Sequence, residues 1–289
     1  MKTPCRITFA GHLAAVAAFI SVITIPTVHA ELLFDEEFDY TIGAPLPVSP
    51  SAGDEWRSTG TGTTTVTEQT LTPYAAGGLM VTSTGGQIIN TNNRRIFHDF
   101  TESDLLSAAE REAGGKLYIS FVATITNSSA DGGSGGIKFG GSEDVRFESG
   151  VQWKQTTWGL SSVSGFQSSG VSTLATSLIV FEIAYTDATT ANISYYVNPT
   201  ATVTGGVITL TSGPSATETG LNFGYLTEIN INADYAGLAE TVDAIRIGTT
   251  LEDVVTPIPE ANGSLWIGAA SLLAFVALRA SRNRWQRNA

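Results

Sequence analysis

Apolar and polar residues alternate with a period of two along most of this chain, as they do in strands with one buried face. Over 116–126, Leu117, Ile119, Phe121, Ala123 and Ile125 alternate with Tyr118, Ser120, Val122 and Thr124. Over 178–186, Ile179, Phe181, Ile183 and Tyr185 oppose Val180, Glu182 and Ala184. Over 191–197, Ile193, Tyr195 and Val197 oppose Asn192, Ser194 and Tyr196, and over 226–233, Ile229, Ile231 and Ala233 oppose Glu228, Asn230 and Asn232. Shorter runs predict strands at 32–40, 64–71, 78–83, 87–91, 94–99, 136–140, 144–148, 150–154, 157–162, 206–211 and 242–248. Turn signals separate them: the glycine-rich stretch from Asp131 to Gly136, Gly140-Gly141, Asn198-Pro199 and Gly205-Gly206. One helix is expected, from Glu102 to Ala113, with Thr101 as its N-cap and acidic residues in its first turn. Many short strands and one helix predict an all-β fold, a two-sheet antiparallel β-sandwich of jelly-roll type.

The two ends break this pattern. Lys2 and Arg6 precede an apolar run from Ile7 to Ile25, and Pro26 and Val28-His29-Ala30 follow it. This is the layout of a signal peptide over 1–30, cut by signal peptidase after Ala30; the alternative is an uncleaved membrane anchor. At the other end Ser264 to Leu278 is a second apolar run of 15 residues, about 22 Å as a helix. Extended to about 262–278, with Trp266 at the interface, it predicts a transmembrane helix. Arg279, Arg282, Arg284 and Arg287 follow at once and would hold the tail on the cytoplasmic side as a membrane stop. A core or amphipathic helix is the alternative. The body between is one expected domain, 31–258.

Composition then narrows the chemistry. The whole chain carries 27 acidic and 15 basic residues, a net charge of −12. The body alone has 26 acidic and 9 basic residues, leaving it at −17. Nucleic acid is excluded as a partner, since phosphate contacts need Lys and Arg in excess. The single cysteine, Cys5, leaves with the signal peptide, so there is no disulfide framework. His98 is the one histidine in the body, which removes multi-histidine zinc sites. Asp131 and nearby loop acids are candidate calcium ligands, although no contiguous Asp-x-Asp-x-Asp loop exists. Otherwise no cofactor is expected, and metal binding is left unassigned.

Catalytic signatures are weak. Glycoside hydrolysis needs two carboxylates facing a sugar, but no Glu-x-Asp-x-x-Glu string is present; Glu143, Asp144 and Glu148 are read as flanking a strand with the wrong parity. His98, between Phe97 and Asp99, is read as structural, and the glycine run Gly132 to Gly136 is read as a turn. Tryptophan offers more: Trp56, Trp153 and Trp158 are the body's three, and sugar rings stack on such faces. Trp153 and Trp158 are candidate glycan contacts, with core packing as the competing reading. Glu182, Asn192, Ser194, Tyr196, Glu228, Asn230 and Asn232 would form one polar ladder if their strands were neighbours in register. Amides, hydroxyls and an aromatic ring suit sugar hydroxyls, which donate and accept. A solvated sheet face would look the same. Asp243 and Arg246 are assigned to structure, as an ion pair or as strand-end hydrogen bonds.

Two resemblances add to this. Pro259-Glu260-Ala261, the apolar helix and the Arg-rich tail over 279–289 resemble the PEP-CTERM sorting signal of bacterial surface proteins, here over 259–289, with Ala261 where that family has Pro. The resemblance implies processing by an exosortase-type sorting enzyme, transient anchoring in the inner membrane, and a final place at the cell surface or in the extracellular matrix. Leu33 to Tyr40 with Ile42-Gly43, Asn192 to Pro199, and Val242 to Val254 are similar to the opening strand, the penultimate hairpin and the closing strand of laminin-G-like, concanavalin A-like jelly rolls. That likeness implies a first strand lying beside the last. The expected function is a non-catalytic, glycan-binding surface module whose partner is an extracellular polysaccharide. The alternatives are an inert adhesion protein and a polysaccharide-degrading enzyme.

Overall fold

The computed structural model describes residues 30–46, 56–126, 134–152, 155–234 and 237–259. The leader before Ala30, the 262–278 segment, Glu260, Ala261, Arg279, Arg282, Arg284, Trp153 and Asp131 lie outside the described residues. Among the described residues no helix is long and apolar enough to cross a membrane.

Among the described residues twenty strands follow one another. They are β1 (Leu32–Glu36), β2 (Arg57–Gly60), β3 (Thr63–Thr67), β4 (Tyr74–Ala76), β5 (Leu79–Val81), β6 (Gln87–Thr91) and β7 (Arg94–Asp99). Then come β8 (Lys116–Thr126), β9 (Gly135–Gly141), β10 (Arg146–Val151), β11 (Thr157–Ser162), β12 (Gly165–Ser172), β13 (Ser177–Tyr185) and β14 (Thr190–Val197). The last are β15 (Ala201–Thr204), β16 (Val207–Leu210), β17 (Ala216–Asn222), β18 (Leu226–Ala233), β19 (Ala239–Gly248) and β20 (Thr256–Pro257).

They build two large antiparallel sheets. The first runs β17-β14-β13-β8-β19-β6-β3, with β1 also paired to β19; the second runs β12-β11-β10-β9-β18-β7-β2. Their inner faces meet in one apolar core, where Phe139 and Phe147 of the second sheet touch Phe181 of the first. The first strand lies beside the last long one, with Phe34 opposite Ile247 and Asp35 opposite Arg246. Strand β19 shares one flank between β6 and β1, and its ladder to β8 shifts register between Asp243 and Arg246. Ala244 takes a positive φ of 53° in that shift.

Several expectations need correction. The 102–113 helix is two pieces, a 3-10 turn (Glu102–Asp104) and α1 (Ala108–Glu112). Thr101 caps the first, but Ser107 caps the second, because its hydroxyl accepts from the Glu110 backbone N–H and restarts the helix there. The strands expected at 144–148 and 150–154 are the single strand β10. Asp243 and Arg246 do not pair with each other: Arg246 bonds Asp35 and Glu37 on one side of the bulge, while Asp243 accepts from Thr72.

The outer face of the first sheet is not solvated at its centre. A third layer covers it, made of β4, β5 and β20, the hairpin β15-β16, and α2 (Leu251–Val254). Val122, Leu178, Val180 and Ala244 of the sheet pack there against Leu79, Val81, Ile208 and Val254. The Ser120 hydroxyl donates to the Val254 carbonyl at 2.6 Å, fixing α2 to the sheet.

Candidate functional site

The expected polar ladder does not form, because its members belong to different sheets. Glu182, Asn192, Ser194 and Tyr196 stand on β13 and β14 of the first sheet, while Glu228, Asn230 and Asn232 stand on β18 of the second. Tyr196 is buried in the third-layer cluster, and burial pushes its hydroxyl pKa up. Glu182 accepts from Lys116 Nζ at 2.5 Å, so it has a protein partner. Trp158 is fully buried in the core and offers no ring face to a sugar; its side is the inner one, shared with Leu160. Trp56 is core too, its Nε1–H donating to Glu36 at 2.8 Å.

Asn230 and Asn232 lead to a different surface, the outer face of the second sheet. Ile229, Ile231 and Ala233 point inward, so the two asparagines point out. Register places Asn230 in a row with Lys138, Glu148 and Ser161 on the next three strands. Asn232 heads the adjacent row, whose next three members are Gly136, Gly150 and Gly159. One row is therefore polar, and the row beside it carries no side chains across three strands. At the usual strand spacing the row runs about 14 Å from Asn232 to Gly159, of which the bare stretch from Gly136 to Gly159 is about 10 Å. The Phe166 ring leans over its far end, within 2.5 Å of where a Cβ on Gly159 would stand.

The glycines are required by the backbone. Gly136 has φ +151°, and a Cβ there would stand 2.2 Å from the Ser149 carbonyl oxygen; one on Gly150 would stand 2.1 Å from the Gly135 oxygen. No other residue fits this close approach.

Polar atoms along the strip lack partners. Asn232 is fully buried, yet neither its Oδ1 nor its Nδ2 has a hydrogen bond; Asn230 is 3% exposed with Oδ1 unpaired. The buried Glu148 Oε1 is unpaired as well. Native proteins rarely leave such groups unsatisfied, and each costs about 1–3 kcal/mol.

Charge is concentrated around them. Lys138 Nζ lies 3.3 Å from Asp234 and 3.9 Å from Glu148, and Arg95 Nε donates to Asp234 at 2.5 Å. Burial raises the Glu148 pKa to about 7, with Lys138 opposing and Asp234 adding to the rise. Burial also works against the Asp234 carboxylate, but Arg95 and Lys138 outweigh it and hold its pKa below the usual value. On the inner side of the sandwich Glu240 is fully buried; burial first, then the charge of Glu148, pushes its pKa well up. Glu148 is thus half-protonated near neutral pH beside an ionised Asp234.

Glu148, Lys138 and Asp234 were not among the candidates from sequence. Glu148 lies within β10, not beside it, and its parity is outward. The available signal was a lone Lys in the glycine-rich run Gly135 to Gly141 and a lone Glu beside Ser149-Gly150. Among the described residues no group of three or more Asp, Glu, His or Cys is arranged to hold a metal ion.

No protein-family model matches the chain, and no curated protein matches it. Solved structures do. A carbohydrate esterase from a Shiga toxin-encoding bacteriophage is similar at 8% identity and a TM-score of 0.42, covering 77% of this chain and 100% of its own. Domain 4 of an extracellular arabinanase from Geobacillus stearothermophilus, solved with arabinotriose, is similar at 11% identity and 0.42, covering 76% and 93%. The binding domain of a botulinum neurotoxin, solved with a sialylated ligand, scores 0.36 at 12% identity; the match covers 69% of this chain and 44% of that one. Likeness at this level carries no argument about function, and the site is read from its own geometry.

Proposed function

We propose that the body is an exported, non-catalytic glycan-binding module of jelly-roll, concanavalin A-like type, and that it binds along the bare glycine row of the second sheet. The observation that carries this reading is Asn232: fully buried at the head of the glycine row, and unpaired at both polar ends of its side chain. A sugar presents vicinal hydroxyls that both donate and accept, which is what an amide with free oxygen and nitrogen requires. Asn230 adds an acceptor one row away, and the Phe166 ring at the far end supplies an apolar face for sugar C–H groups.

The same proposal includes delivery. Pro259, Glu260 and Ala261, the apolar 262–278 segment and the arginines at 279, 282 and 284 serve as a sorting signal for an exosortase-type enzyme after signal peptidase has removed 1–30. The chain then reaches the cell surface or matrix. Deleting 265–278 should release the protein from the membrane fraction; retention would refute this part.

A glycan array probed with the purified full chain tests the binding reading. The expected result is binding to a defined set of polysaccharides, lost in Asn232→Leu and kept in Tyr196→Phe. Equal binding by the parent and Asn232→Leu, or no bound glycan at all, would overturn it.

A further inference from the structure

The binding reading leaves open which glycans fit, and the charges of the outer face address that question. The inference rests on that reading. The body is strongly acidic, yet four of its nine basic residues, Arg57, Arg95, Lys138 and Arg146, stand on this one face of the second sheet. Arg57 pairs with Asp99 at 2.5 Å and Arg146 with Glu228 at 3.7 Å. Arg95 and Lys138 share a single carboxylate, Asp234. The second anionic neighbour of Lys138 is Glu148, at 3.9 Å the longest of these contacts. Lys138 therefore stands between a full partner and a weak one, at the edge of the bare row.

We propose that the strip selects acidic glycans, sugar chains bearing uronic-acid carboxylates, and seats one such carboxylate between Lys138 and Glu148. The chemistry of the pair explains the preference. When Glu148 carries its proton, the four cations of the face meet three carboxylates, and one positive charge is left over. A neutral Glu148 donates a hydrogen bond to the incoming carboxylate while Lys138 provides the charge. When Glu148 is ionised, it occupies Lys138 itself and repels the ligand. Binding an acidic sugar is thereby coupled to the uptake of up to one proton at Glu148.

Every charged group facing Glu148 is compatible with this coupling. Lys138 comes from β9, Arg95 from β7 and Asp234 from the end of β18; these are held to one another by hydrogen bonds. Glu240 approaches from β19 on the inner side and adds no competing cation. The buried, unpaired Asn230 Oδ1 and Asn232 amide remain for the ring hydroxyls, so the acidic group and the hydroxyls are read by different side chains.

Calorimetry of the full chain with trigalacturonate and with its uncharged counterpart galactotriose, at pH 6 and pH 8, tests this. Trigalacturonate stays ionised across that range. Its affinity should be about tenfold higher at pH 6, the limit for one coupled proton on a group titrating near 7, while the neutral sugar shows no such change. Glu148→Gln should bind trigalacturonate equally at both pH values. Lys138→Gln should lose the preference for the acidic sugar, with melting temperature as the control for its fold. In the parent, carbon NMR of the Glu148 carboxyl should show its midpoint moving up when trigalacturonate is added. Galactotriose binding as well as trigalacturonate at pH 6, or pH dependence surviving in Glu148→Gln, would overturn the acidic-glycan inference but not the glycan site. A chain that binds no glycan of any kind overturns both.

Discussion

The outer faces of the two sheets have opposite fates. On the first sheet, Val122, Leu178 and Val180 make the outer face apolar at its centre, and the third layer covers it. Polar groups trapped there are mostly paired: Ser120 donates to the Val254 carbonyl and Asp243 Oδ2 accepts from Thr72, with Asp243 Oδ1 left over. On the second sheet the corresponding positions are glycine, asparagine and charged residues, and Asn232 is buried with no partner at all. The first face closes a core. The second keeps hydrogen-bonding capacity in reserve, an arrangement that costs stability and that a ligand can use.

The comparison can be broken most forcefully in the third layer. Leu79→Ala, at a fully buried position of that layer, should destabilise the protein by about 2–5 kcal/mol in denaturant unfolding, with no direct effect on the second sheet's strip. A loss under about 1 kcal/mol would mean that the third layer is not part of the stable structure.

Glu148 sharpens the contrast through pH. Its folded pKa, about 7, lies above the ordinary 4.5, so its contribution to stability is full below pH 4.5 and is lost as pH rises through 7. The difference is roughly 3 kcal/mol at alkaline pH. Glu148→Gln should therefore be more stable than the parent at pH 8 by up to roughly that amount, with the gain vanishing near pH 4. Urea unfolding at both pH values measures it, and a gain independent of pH would contradict the assignment.

Two asparagines, each wholly buried, give a matched pair of smaller effects. Asn90 accepts from the Thr64 hydroxyl and donates to the Arg94 and Ile231 carbonyls, whereas Asn232 has no side-chain hydrogen bond. Asn90→Leu should cost about 1–3 kcal/mol, and Asn232→Leu should stabilise by a similar or smaller amount while abolishing glycan binding. The same sign for both would show that Asn232 is satisfied in solution. The smallest effect is at the rim of the first sheet. Lys116→Met removes the half-exposed pair with Glu182 and should change stability by less than about 1 kcal/mol.

Legibility in the sequence followed burial. The central strands β8, β13, β14 and β18 were readable because each buries an alternating apolar set. Three of the strands that went unpredicted, β2, β12 and β17, lie at sheet edges. The strand β12, running GFQSSGVS, has little apolar alternation and is held by its ladder to β11. An edge strand needs only one hydrogen-bonded neighbour and can carry little apolar alternation, as β12 does, and hydrophobic pattern does not reveal such a strand. Asn230 and Asn232 were legible as outward polar residues of a strand. Their partners in the strip were not, because Gly136, Gly150 and Gly159 read as turns or gaps until register aligns them.

By itself the sequence determined the all-β class and most central strands, since each is a local pattern; the pairing of the first strand with the last came from the resemblance of their two strings to a known fold. Tertiary structure alone decided which strands share a sheet. β17 and β18 are neighbours in the chain yet belong to opposite sheets, and that one crossover separates Tyr196 and Glu182 from Asn230 and Asn232. It also decided the burial of Trp158, the covering of the first sheet, and the meeting of Glu148 with Lys138 and Asp234. The physical reason is that alternation specifies which side of a strand a residue faces, whereas what lies on that side is set by segments distant in sequence.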